Sequence, residues 1–172
     1  MYPYFEIAEL SAERSSREWQ WLCSTEVRDC TGNAFGDLFL QAADGAVARL
    51  DVTAGRIDSN RCFMCRIPAV GTNLRCREWF LEDVKMSLRQ EGFHANSGQC
   101  CGYKIPLVFA ESSGSAENVC IADVCEYVSF LGDLHRQLQN ASDGTKVRLN
   151  IGPSAQPDQG SVCMEFTRPG LT

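Results

Sequence analysis

The chain has 172 residues, 44% of them hydrophobic, and 22 acidic against 16 basic side chains give it a formal charge of −6. That length fits one domain, able to bury roughly 70% of its unfolded surface without disulfides or metal. The acidic balance excludes a nucleic-acid or anionic-membrane surface, both of which call for clustered Lys and Arg, and it permits a basic partner.

The charge is uneven: residues 1–60 carry ten acids against five bases, residues 61–91 four against six, and residues 92–172 eight against five. An acidic face would therefore draw mainly on the N-terminal third. After Met1 the chain reads Tyr2-Pro3-Tyr4-Phe5-Glu6, without the basic and apolar regions of a secretory signal. No window approaches the ~20 apolar residues of a membrane span. A soluble, cytoplasmic chain with no membrane partner is the expectation.

In chain order, Ser11 to Cys23 reads as a helix capped by Ser11, with Trp19, Leu22 and Cys23 on one face. Residues 34–40 and 46–52 are two β-like runs, and the Asp44-Gly45 turn between them predicts a hairpin because glycine accepts a positive φ without steric cost. A second turn at Thr53-Ala54-Gly55 leads to a third strand, which makes a meander. Residues 58–72 carry no clear pattern. From Leu74 to Glu91, Phe80, Leu81, Val84 and Leu88 recur at helical spacing, with Lys85 among the residues off that stripe and Gly92 as a stop.

Lys104 to Phe109 then reads as a strand, residues 111–117 as a Ser/Gly loop, and Val119 to Tyr127 as another strand. A helix over Ser129 to Gln139 places Leu131, Leu134 and Leu138 inward and His135 and Arg136 near its polar flank. Asp143-Gly144 turns the chain into a final strand, residues 146–151, and residues 152–172 read as a loose tail. The expected architecture is α+β, an antiparallel meander packed with about three helices in a single domain spanning 1–172.

No complete catalytic or metal site is visible. Ten cysteines include Cys62-Phe63-Met64-Cys65, but the second ligand pair that a tetrahedral zinc site requires is missing, and His94 and His135 stand alone. Buried or incidental free thiols are the simpler reading. A Cys–His nucleophile pair needs an adjacency that spacing does not supply. Gly32-Asn33-Ala34-Phe35-Gly36 lacks the lysine of a phosphate loop. The expectation is a non-enzyme with no cofactor and no metal.

Five segments, residues 35–51, 78–93, 98–109, 117–138 and 143–149, together resemble the C-terminal domain of the bacterial Tdi-type immunity proteins of type VI secretion systems, in that family's order. The resemblance is carried by Gly36-Asp37-Leu38-Phe39, Asp44-Gly45, Leu50-Asp51, Ile105-Pro106 and Gly132-Asp133-Leu134-His135-Arg136-Gln137. Where the family usually has Pro-Pro-Val-Leu-Gly-Gly, this chain has Pro106-Leu107-Val108-Phe109-Ala110-Glu111. Most shared positions are scaffold residues for turns, caps and core. The resemblance implies an immunity protein that binds a cognate secreted toxin, a DNase in the family's type case, inside the producing cell. The alternative is a binding or regulatory module of the same fold without a toxin. For contact with a basic partner the candidates are the loop and turn acids Asp44, Asp58, Glu111 and Glu117, with Asp37 and Asp51 structural.

Overall fold

The computed structural model describes residues 17–23, 27–62, 81–142, 144–151 and 162–168. Its largest sheet is a meander of β1 (Val27–Gly32), β2 (Leu38–Ala42), β3 (Val47–Asp51) and β4 (Arg56–Cys62), every neighbouring pair antiparallel. Alternation sends Leu38, Leu40 and Leu50 to one side, where they join the main core. Phe39, in register with Arg49, faces the other side and is also fully buried. The Asp44-Gly45 hairpin forms as predicted: Gly45 has φ +84° and Asp44 Oδ1 accepts from Ala46 N at 3.0 Å. The predicted run over 34–40 begins later than expected, because Asn33 closes a turn by accepting from Phe35 N and Asp37 N, with Gly36 at φ +83°.

Helix α1 spans Glu82–Gln90, followed by Gly92 at φ +92° as the expected stop. Its predicted residues 74–80 lie outside the described residues. Leu81 takes a left-handed backbone, φ 49°, so the described helix starts after it. The buried stripe also differs from the predicted one: Leu88 and Lys85 are buried, whereas Val84 is 45% exposed.

The hairpin of β5 (Gln99–Tyr103) and β6 (Val119–Asp123) lies between two apolar clusters. Cys100 joins the main core, while Cys101, Val119 and Ile121 meet Leu88, Ala34 and Phe35. The strand predicted over 104–109 is a turn-rich loop instead, and the strand residues precede it. Pro106 cannot donate to a ladder, and the loop's polar groups find a partner in Asn118 rather than in a neighbouring strand.

Helix α2 is Val124–Leu138, five residues longer at its start than predicted. Asp123 ends the strand by capping the helix, its Oδ1 accepting from Cys125 N at 2.9 Å and Glu126 N at 3.0 Å. Val124, Tyr127, Val128 and Leu131 then follow at helical spacing and are buried, as are Leu134 and Leu138. The N-terminal helix predicted over 11–23 is, within the described residues, only a 3-10 turn at Arg17–Trp19. Trp19 nonetheless packs as expected. Its Nε1 donates to Val128 O at 3.0 Å, and Gly132 makes the approach possible, since a Cβ there would fall 2.9 Å from the indole nitrogen.

The last hairpin pairs β7 (Lys146–Ile151) with β8 (Val162–Thr167). β8 lies in the segment predicted to be loose. Phe166 explains the difference: it is buried against Phe109, with ring centroids 4.8 Å apart, so this stretch gains burial that its Pro/Gly-rich surroundings conceal. The whole is one α+β domain with two α-helices among the described residues, fewer than the three expected. No helix among them is long and apolar enough to cross a membrane.

Candidate functional site

A cleft of about 450 Å³ opens where the end of the meander meets α1, α2 and the loop after β5. Its floor is built on β3. Arg49 and Asp51 sit two residues apart on one face of that strand, and the register sets Arg49 opposite Asp58 and Asp51 opposite Arg56. Arg49 therefore meets three carboxylates: Asp37 Oδ2 at 2.6 Å from Nη2, Asp58 Oδ2 at 3.4 Å from Nη1, and Asp51 Oδ2 at 3.7 Å from Nη2.

Asp37 is 2% exposed. Its Oδ2 accepts from Asn33 Nδ2 and from Arg49 Nε and Nη2, and its Oδ1 accepts from Val52 N. Burial raises this carboxyl's pKa, and the adjacent guanidinium offsets that only in part. With four donors converging on two oxygens and no acceptor among them for a carboxyl proton, the ionised form is the one this geometry holds. Asp51 is engaged on one side only. Its Oδ1 accepts from Ala54 N at 2.9 Å, while its Oδ2 faces Arg49 and Arg56 at 3.7 and 3.9 Å, beyond hydrogen-bond length.

His135 approaches from α2. Contrary to its predicted place on the polar flank, it is buried, with Nε2 3.2 Å from Thr53 O, so that the neutral ring donates into the β3–β4 turn. Desolvation lowers its pKa from the ordinary histidine value. Gly55, at φ +65°, is required here: a Cβ would collide with the imidazole. Tyr103 enters from β5, its phenol pushed up first by burial and then by the charge of Asp37. Among the described residues its hydroxyl has no hydrogen-bond partner, whereas that of Tyr127 accepts from Tyr103 N at 3.2 Å.

The walls are apolar. Leu81 and Val84 come from the start of α1, and Leu107 and Val108 from the loop after β5. Asn118 holds that loop in place: Oδ1 accepts from Ile105 N, and Nδ2 donates to Ile105 O, Ser112 Oγ and Ser113 O, all at 2.8–2.9 Å. Lys104 Nζ adds a bond to Glu117 O at 2.7 Å.

The four predicted contact acids are not brought together. Asp44 is at the β2–β3 hairpin tip, bonded into its own turn. Asp58 is a strand residue rather than a turn acid and belongs to the Arg49 cluster, opposite the middle of β3. Glu111 is exposed, and the Thr167 N–H donated to its Oε2 at 2.9 Å lowers its pKa. Glu117 is exposed on the 3-10 turn Ala116–Asn118. Asp37 and Asp51 are structural, as expected, yet they also form the cleft floor. That floor was missed; its one local sign was Arg49-Leu50-Asp51, an alternating charge pair beside a turn.

Among the described residues no three His, Cys, Asp or Glu side chains are grouped to hold a metal ion, and Cys65 lies outside them. Cys23, Cys100, Cys101, Cys120 and Cys125 are free thiols. Burial raises the thiols it affects most, Cys23 to about 11 and Cys100 to about 12, which leaves almost no thiolate at neutral pH. The arrangement suits recognition through a charged, half-satisfied floor between apolar walls. Compared with known proteins, the chain matches no family model, and it matches no curated protein.

Proposed function

We propose that this protein is a cytoplasmic immunity protein that binds and neutralises a basic, type VI secreted toxin, a nuclease, in the producing cell, without being an enzyme itself. The observation that carries this reading is the acidic excess of the chain, displayed in part by exposed carboxylates at a hairpin tip and on a pinned loop, at Asp44, Glu111 and Glu117. Such a surface complements the basic cleft of a nuclease, accelerates encounter and occupies the place of the nucleic acid. The residues behind the family resemblance add support, because Asp37, Asp44-Gly45, Asp51, Gly132 and His135 all hold turns or close contacts in one scaffold.

Co-expression with the product of the adjacent gene tests the proposal. Growth rescue and a salt-sensitive complex are the expected results, with exposed charge pairs screened beyond ~8–10 Å. Asp44→Lys/Glu117→Lys should weaken binding more than Asp44→Asn/Glu117→Gln, the control needed because the Asp44 carboxylate also accepts the Ala46 N–H. Glu111 needs a paired comparison of Glu111→Gln and Glu111→Lys, because its carboxylate also accepts the Thr167 N–H. No binding and no protection by the wild type would end the immunity reading.

A further inference from the structure

We infer that the cleft between Leu107 and Val84 is an arginine-docking site, taking one guanidinium side chain of a basic protein partner, with its head on Asp51 and its stem between the apolar walls. This deepens the proposal of a basic partner and rests on it. The volume of about 450 Å³ lies within the ~300–1,000 Å³ typical of ligand clefts.

Charge selects the occupant. Asp37, Asp51 and Asp58 surround Arg49, and the buried His135 donates as a neutral ring to Thr53 O, so this cluster carries more negative than positive charge. Arg56 offsets this only loosely: its side chain is 67% exposed and it lies 3.9 and 4.0 Å from Asp51 and Asp58. Asp51 Oδ2 therefore has two cations nearby and a hydrogen bond from neither, and an incoming guanidinium that displaces Arg56 would supply one. The Tyr103 hydroxyl offers a further acceptor on the same lining.

The openness of the walls selects a protein over a free small molecule. Val84 is 45% and Leu107 37% exposed, so these apolar edges stay wet until a partner surface covers them. A planar, amphipathic arginine in a groove of this kind is a common interface anchor, and shielding by surrounding contacts strengthens its ion pair.

The test uses the whole protein and Nα-acetyl-arginine amide, followed by backbone amide NMR, with the isosteric, uncharged Nα-acetyl-citrulline amide as control. Saturable shifts are expected at Thr53, Ala54, Leu107 and Val108, with about fivefold weaker binding of the citrulline compound, the size of a partly screened ion pair. Asp51→Asn keeps the Oδ1 acceptor for Ala54 N and should weaken binding about as much. Leu107→Lys, at an exposed position, places an ammonium across the cleft and should abolish it. Equal binding of both compounds, shifts scattered over Asp44 and Glu117, no saturable shift at all, or unchanged binding by Leu107→Lys would overturn the assignment. The two ideas fail separately: if Leu107→Lys and Asp51→Asn protect cells as the wild type does, the docking site is wrong and immunity stands. If the cleft binds arginine amide while no toxin is neutralised, the site stands and immunity falls.

Discussion

In the floor of the cleft a buried ion pair organises the surrounding backbone; in its wall a neutral amide does the same for the loop over 104–113. Asp37 is buried against Arg49, and its full charge would be left without a cation if Arg49 were removed, whereas Arg49 would still face Asp51 and Asp58. Asn118 ties the wall through hydrogen bonds whose loss strands polar but uncharged groups, several of them still within reach of solvent. The contrast shows why a rigid floor and a separable wall can coexist. Breaking the charged centre threatens the fold, and breaking the neutral one loosens a single segment.

The sharpest way to break that contrast is Arg49→Met, which leaves the Asp37 carboxylate buried without its cation. A loss of about 3–5 kcal/mol is expected in urea denaturation. Adding Asp37→Asn should recover part of it, since the orphaned charge disappears; a double variant no better than the single one would mean that Arg49 acts by packing alone.

Asn118→Ala should cost about 1–3 kcal/mol, less than the floor variant, because the groups it strands are neutral. Hydrogen exchange gives the more telling readout. Amides at residues 105–113 should lose protection while β2 and β3 keep theirs, and uniform loss across both regions would show that the wall is not a separate unit.

Gly55→Ala sharpens the comparison at the seam, where the β3–β4 turn meets α2. A methyl at φ +65° collides with His135, and about 1–3 kcal/mol of destabilisation is expected from overpacking and backbone strain. Wild-type stability in this variant would show that the turn moves away from the helix without penalty.

The smallest effect is expected from pH. Burial lowers the His135 pKa in the folded protein, whereas the unfolded chain titrates near the ordinary value of about 6.5. Below that pH the unfolded state binds more protons, so the histidine's share of stability is present above about 6.5 and is lost as pH falls through the folded value. The melting temperature should therefore drop more steeply from pH 7 to 5.5 in wild type than in His135→Gln. Parallel profiles would place the acid sensitivity elsewhere.

Local chemistry was enough for several elements. Asp44-Gly45 makes its turn because glycine takes φ +84° and the preceding aspartate bonds to Ala46 N. Leu131, Leu134 and Leu138 face inward because a 3.6-residue period leaves them on one stripe. The early start of α2 was legible too: Asp123-Val124-Cys125-Glu126 has the spacing of a capping box, and the β-branched valines beside it obscured that signal. Phe166 could not be read in this way, since its reason for being ordered is a ring 57 positions earlier, Phe109.

The sequence by itself thus determined the α+β class, the central hairpin, the inner face of the last helix and the acidic character of the chain, because each depends on neighbours a few residues apart or on composition. Only the tertiary structure decided the cleft. Asp37, Arg49 and Asp58 are distributed over a turn and two strands, His135 arrives from a helix 82 residues beyond Thr53, and Leu107 and Val108 stand where they do because Asn118 holds their loop. Strand register and helix packing bring these groups together, and no local periodicity encodes which distant side chain will share a face with which carboxylate.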